Sequence, residues 1–259
     1  MELYYKKLGE DTYGEPLIIV HGLFGSLDNW YTLGKKFAEK YTVFLVDQRN
    51  HGHSPHSREH NYEAMADDLL ELIRNENLIS VNLLGHSMGG KTVMKFAELY
   101  EEMVGKLIVA DIGPKAYDSH HDVIIEALLE LNAERLTSRK QAEEILSKKI
   151  SDAAIRQFLL KNLYWKEPGE LVLRMNVEVL ADQMDNILEA LPARPVLCET
   201  LFIRGGASGY VQEKDYELIR KLFPRSIVKT IEGAGHWLHA EAPEEFYRLV
   251  DDFLEDRLV

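Results

Sequence analysis

Short, almost wholly apolar runs alternate with longer amphipathic ones along this 259-residue chain. Leu17-Ile18-Ile19-Val20, Val43-Phe44-Leu45-Val46, Val81-Asn82-Leu83-Leu84, Leu107-Ile108-Val109-Ala110 and Leu201-Phe202-Ile203 are strand candidates, and residues 227–231 supply a last one. Such runs do not alternate polar with apolar, which marks strands covered on both faces of a parallel sheet. Met1-Glu2-Leu3-Tyr4-Tyr5-Lys6-Lys7 reads as a first strand. Helical periodicity fills residues 30–40, 62–75, 88–100, 212–222 and 243–254. The alternation predicts an α/β fold, a mostly parallel doubly wound sheet whose functional loops follow the carboxyl ends of the strands. Between Pro114 and Pro195 the rhythm changes: helical patterns occupy 123–131, 139–150, 153–163 and 177–188, with no clear buried strand. The expected organisation is a core of residues 1–113 and 196–259 carrying a helical lid of residues 114–195, and Pro192 and Pro195 mark the return to the core.

Composition narrows the function. Hydrophobic residues make up 46% and charged residues 28%, ordinary for a soluble enzyme. With 43 acidic and 30 basic residues the formal charge is −13, which disfavours nucleic acid and anionic membrane surfaces as partners. A single cysteine, Cys198, excludes an internal disulfide and fits a reducing compartment. No apolar run reaches the roughly 18–20 residues that cross a bilayer, and the first residues carry no signal-like apolar core. A soluble cytoplasmic protein is expected, and nothing in the string marks an oligomer interface.

The candidate chemistry centres on Gly85-His86-Ser87-Met88-Gly89-Gly90, a G-x-S-x-G motif between an apolar run and a helical one. A sharp strand-to-helix turn there lifts a serine above the sheet, with glycines relieving the crowding and the helix N-terminus behind it. A serine hydroxyl needs a base. Among the ten histidines, His51, His53, His56 and His60 read as one polar loop, and His120 and His121 as another. His236 stands apart in Glu232-Gly233-Ala234-Gly235-His236-Trp237, just after the last strand, with His239 as the alternative. For the carboxylate that orients the imidazole, Asp111 ends the run 107–110, one strand after the serine, and Glu213 or Asp215 are the alternatives. The loop after the strand at 201–203 holds Ser208, which is expected to bond Asp111 or His236. An oxyanion needs two N–H donors: Met88 follows the nucleophile, and Leu23 lies in His21-Gly22-Leu23-Phe24-Gly25-Ser26, a loop that His21 would hold together.

With these residues in hand the chain resembles the α/β-hydrolase superfamily over essentially its whole length. Asp47-Gln48-Arg49-Asn50-His51-Gly52-His53-Ser54 looks like that superfamily's D-x-R-x-x-G-x-S loop. The segments 21–30, 49–52, Asp111-Ile112-Gly113-Pro114, Arg174-Met175-Asn176 and 233–241 are similar to bacterial YbfF-type esterases and the mitochondrial hydrolases related to them. The resemblance implies the α/β-hydrolase fold and a serine esterase acting on short acyl esters, with possible binding of acyl-CoA thioesters. It also implies a serine at the usual acid position and an aspartate one strand earlier.

Phe24, Trp165, Arg174 and Trp237 are candidates for the substrate pocket. Tyr164, Met175, Leu180 and Met184 either line an acyl pocket or form lid core. Arg174 and Asn176 either bind a polar substrate group or pin the lid. No cofactor or metal is expected: the histidines at 51–60 match no common zinc spacing, and no G-x-G-x-x-G follows the first strand. An aspartate nucleophile, as in epoxide hydrolases and haloalkane dehalogenases of this fold, is argued against by Ser87. The expected partner is a small-molecule acyl ester or thioester. The rival readings are a non-enzymatic small-molecule receptor on the same fold, a C–C bond hydrolase or lyase and an acyl-CoA thioesterase, which turnover would separate.

Overall fold

The computed structural model describes residues 1–9, 15–119 and 121–258. His120 lies outside them.

A seven-stranded sheet forms the centre. In chain order its strands are β1 (Tyr5–Leu8), β2 (Leu17–Val20), β3 (Val43–Val46), β4 (Val81–His86), β5 (Val104–Ala110), β8 (Glu199–Gly205) and β9 (Ser226–Ile231). Across the sheet they run β1-β3-β2-β4-β5-β8-β9, with β1 antiparallel to β3 and every other pair parallel. Strands β2 and β3 are buried at every residue, as their unbroken apolar runs require. Two hydrophobic clusters cover the two faces. One joins Ile18, Val20 and Leu83 to α2 (Tyr62–Asn75) and α3 (Met88–Leu99). The other joins Ile19, Leu45 and Leu84 to α1 (Tyr31–Phe37) and α11 (Pro243–Leu254), through Phe37, Phe246 and Val250. Asn61 caps α2 by accepting the Ala64 N–H at 2.8 Å, and Pro243 opens α11, where its missing N–H costs nothing.

The order in which strands are added reverses between β2 and β4: β2 leads on to β3 on one side, while β4 and its successors build outward on the other. The crevice above the carboxyl ends of these two strands is where ligands bind in sheets of this kind.

Between β5 and β8 the chain forms α4 (Asp122–Ala133), α5 (Arg139–Ser147), α6 (Ala153–Leu160), α7 (Val177–Asp182) and α8 (Met184–Leu188). Two expectations are corrected here. The helix expected over 177–188 is two short ones meeting at Gln183. The segment also contains an antiparallel hairpin, β6 (Leu163–Glu167) with β7 (Glu170–Leu173). Its turn is Pro168-Gly169, where Gly169 has φ +84, a conformation glycine supplies without strain. α9 (Tyr216–Leu222) and α10 (Leu238–Glu241) are the remaining α-helices among the described residues. No helix among the described residues is long and apolar enough to cross a membrane.

Candidate active site

Ser87 stands between the end of β4 and the start of α3, with φ +53 and ψ −120. A non-glycine residue rarely adopts that conformation, so the surroundings hold it there. The turn leaves no room for side chains beside it. A Cβ on Gly85 would lie 2.2 Å from the Gly89 carbonyl oxygen, and one on Gly89 would lie 2.3 Å from that of Val20. The Ser87 N–H donates to the Ala110 carbonyl at 3.0 Å, tying the turn to the next strand.

Asp111 continues from that strand, fully buried and with φ +46. Both of its oxygens accept hydrogen bonds. Oδ1 accepts the Gly205 N–H at 2.9 Å, and Oδ2 accepts the Ser208 hydroxyl and the His236 Nδ1–H, the latter at 2.8 Å. A buried carboxylate is tolerated only with such partners. The structure thus brings Asp111, Ser208 and His236 together. It engages the alternatives otherwise: Asp215 pairs with Lys115 at 2.6 Å, Glu213 is exposed, and His239, though it lines the same cavity as Ser87, stacks on Trp30 at 4.2 Å.

The His236 loop is held from three sides. His86 donates from Nε2 to the His236 carbonyl at 2.8 Å. The Tyr210 ring stacks on the imidazole at 3.9 Å and 15°. Glu241 accepts the Gly235 and Trp237 N–H groups at 2.6 and 3.2 Å. The first two contacts were not foreseen from sequence, because nothing in a one-dimensional string relates residue 86 or 210 to 236.

The loop after β2 is fixed by His21 and by His51, the latter expected, like His60, to be a polar loop residue. His51 and His60 are fully buried. His51 donates from Nδ1 to the Arg49 carbonyl at 3.0 Å and accepts the Phe24 N–H on Nε2 at 3.2 Å. His21 donates to the Gly22 carbonyl at 2.8 Å and accepts the Gln48 N–H at 3.1 Å. Both rings are therefore neutral, and burial pushes their pKa values down to about 3 and about 4. The Phe24 N–H is thereby engaged on the His51 ring. Met88 opens α3, so its N–H has no acceptor within the helix. Asp47 accepts the Leu27 and His53 N–H groups at 2.7 and 2.9 Å, and Arg49 pairs with Asp68 at 2.7 Å.

Ser87 and His236 face one cavity of about 280 Å³. Phe24, Ile124, Ile155, Phe158 and Trp237 give it apolar walls, with His121 beside them rather than on an outer loop. Two expectations for the pocket, Trp165 and Arg174, are corrected, and two alternatives left open are decided. Trp165 is 52% exposed on the hairpin and lies outside the cavity wall. Arg174 does not line it either: its guanidinium bonds His53 at 2.8 Å and lies over the Tyr164 ring. Met175, Leu180 and Met184 are buried in the hydrophobic core. Asn176 bonds Asn50 through backbone and side chain, so this stretch pins the segment down. The helices α4 and α6, not the hairpin, contribute the wall.

Comparison with known proteins follows the same lines. A family model described as alpha/beta hydrolase fold matches residues 15–243. A solved structure of a marine microorganism esterase agrees with a TM-score of 0.94 at 43% identity, covering 98% of this chain and 99% of that one. Esterase YbfF of Escherichia coli is 38% identical over 246 residues, 93% of each chain. The sn-1-specific diacylglycerol lipase ABHD11 of Mus musculus is 38% identical over 263 residues, 98% of this chain and 85% of that one. The chain belongs to the α/β-hydrolase family and, within it, to the carboxylic ester hydrolases.

Proposed function

We propose that the protein is a serine carboxylesterase that hydrolyses short- to medium-chain acyl esters through Ser87, His236 and Asp111. The observation that carries this reading is the Asp111–His236 hydrogen bond of 2.8 Å, with His236 and Ser87 facing one apolar cavity. Bonding through Nδ1 leaves Nε2 as the basic nitrogen. It takes the Ser87 proton as Oγ forms a bond to the ester carbon, and the carbonyl electrons move onto oxygen. The Leu23 and Met88 N–H groups receive that oxyanion, a contribution of about 3 kcal/mol or more per donor. Collapse breaks the bond to the alcohol oxygen, which leaves with the proton from Nε2. Water then repeats the sequence on the acyl-enzyme and releases the acid. Asp111 keeps the imidazole in this tautomer and balances its transient charge. Ser208 holds Asp111 and takes no proton. Residues 114–195 act as the lid.

The test is hydrolysis of p-nitrophenyl acetate by the native protein and by Ser87→Ala. Loss of roughly 10⁶-fold in kcat is expected on removing the nucleophile. Retention of more than about a tenth of the activity would sink the assignment.

A further inference from the structure

A second, much smaller cavity opens on the other side of Ser87. Its volume is about 20 Å³, and Tyr62, Met88, Ile112, Ile187 and Leu188 are among its walls. It shares Leu23, Ser87, His121 and Tyr210 with the large cavity, so the two are lobes meeting at the serine. They differ in which part of the chemistry they touch. The large lobe is walled by His236 and Trp237, and the small one by Met88 and Lys91 at the start of α3.

We propose that the small lobe takes the acyl chain and the large lobe the alcohol, so that the preferred substrate is an acetate- or propionate-type ester of a bulky apolar alcohol. This rests on the serine esterase reading above. At the tetrahedral stage the ester carbon carries three groups besides Ser87 Oγ. The oxyanion points at the Leu23 and Met88 N–H groups. The alcohol oxygen has to collect its proton from His236, so it leaves on the side where His236 stands. That is the large lobe. The acyl chain is left with the small one.

Size then sets the class. One water-sized group needs roughly 10–15 Å³, so the small lobe admits a methyl or an ethyl group. The large lobe, at about 280 Å³, accepts an alcohol of several carbons. Charge narrows the acyl group further. Lys91 is buried beside the small lobe, but its ammonium donates to the carbonyls of Lys115 at 3.0 Å, Leu188 at 3.4 Å, and Glu189. Its three N–H groups are thereby spent, and none is left for a carboxylate on the acyl chain. An uncharged acyl group fits; the acyl half of a dicarboxylic monoester does not.

Hexyl acetate and methyl heptanoate are isomers that carry the same chain on opposite sides of the ester. The native protein should show kcat/KM at least about tenfold higher for hexyl acetate, the scale on which misplaced methylenes are rejected. Ile187→Ala should narrow that ratio by admitting the heptanoyl chain, and Phe158→Trp should narrow it by crowding the hexyl group. Equal values, or a preference for methyl heptanoate, would overturn the assignment of the lobes while leaving the esterase intact. Labelling of Ser87 with a fluorophosphonate separates the two failures: no hydrolysis of either isomer and no labelling would remove the serine esterase reading, and this proposal with it.

Discussion

Acid should unfold this protein through its buried imidazoles. His21, His51, His60, His86 and His239 are all at least nine-tenths buried. Burial pushes His21 down to about 4, His51, His60 and His239 down to about 3, and His86 well below the ordinary 6.5. Geometry agrees, since a proton on His21 or His51 would set a donor against the Gln48 or Phe24 N–H that each ring now accepts. A histidine held neutral by the fold binds its proton only after unfolding. Its contribution to stability is therefore complete above pH 6.5 and is lost as pH falls below that value towards the folded pKa. At pH 5.5 an unfolded imidazole of pKa 6.5 has drawn about 1.4 kcal/mol towards the unfolded state. Five such groups together draw about 7 kcal/mol, comparable with the whole stability of an ordinary domain. Lys91, lowered to about 8 by burial, has taken up its proton before this window and adds no slope in it. Urea unfolding followed by tryptophan fluorescence from pH 8 to pH 5 should give a constant free energy down to about pH 7. Below pH 6 it should fall by about 6 kcal/mol per pH unit, the slope of four to five protons taken up on unfolding. A slope below about 2 kcal/mol per pH unit, or a chain still folded at pH 4, would refute the neutrality of these rings.

Three further outcomes are expected. Asp111→Asn should lower kcat by about 10⁴-fold through loss of the imidazole's orientation, whereas Ser208→Ala, which removes one bond to Asp111, should cost at most about 100-fold; equal losses in a p-nitrophenyl acetate assay would make Ser208 part of the triad. Gly52→Ala would place a Cβ 2.1 Å from Asp47 Oδ2 at φ +56, displacing the carboxylate that holds Leu27 and His53, and should cost about 2–4 kcal/mol. Calorimetry should show that as a melting temperature lower by about 5 to 15 °C, and an unchanged value would contradict the crowding. Trp165→Ala, on an exposed hairpin residue, should change stability by less than about 0.5 kcal/mol and leave kcat/KM within about twofold of native; a large loss would return Trp165 to the pocket.

The strands were legible because unbroken runs such as Leu17-Ile18-Ile19-Val20 have only one comfortable place, the middle of a covered sheet. Asp111 was legible because it directly follows such a run, where a polar side chain is costly without a purpose, and Ser87 because its glycine-flanked motif joins such a run to a helical one. The β6–β7 hairpin was also written in the string, as Pro168-Gly169 between Leu163-Tyr164-Trp165 and Leu171-Val172-Leu173, but helical periodicity around it masked the turn. His51 and His60 could not be read. Their burial depends on backbone groups and side chains, such as the Phe24 N–H and Asn50, whose placement only the folded loops decide. The cavity wall was illegible for the same reason: Phe158 and Trp165 sit seven positions apart in one segment, yet one lines the cavity and the other faces solvent.

The groups gathered round Asp111 all come from the sheet and its own loops: His236 after β9, Ser208 and Gly205 at the end of β8. The segment between β5 and β8 grips the rest of the molecule elsewhere, through Arg174 on His53, Asn176 on Asn50 and the Asn162 side chain on the Phe24 carbonyl at 2.8 Å. The bonds to Asp111 are thus fastened without help from the covering segment. A lineage could rebuild α4 and α6 to admit a new alcohol without retuning the proton relay, provided something still steadied the Phe24 carbonyl. That amide, and the Tyr117 hydroxyl that donates to the Tyr210 carbonyl at 2.8 Å, are places where a redesigned roof would be felt by the machinery beneath it.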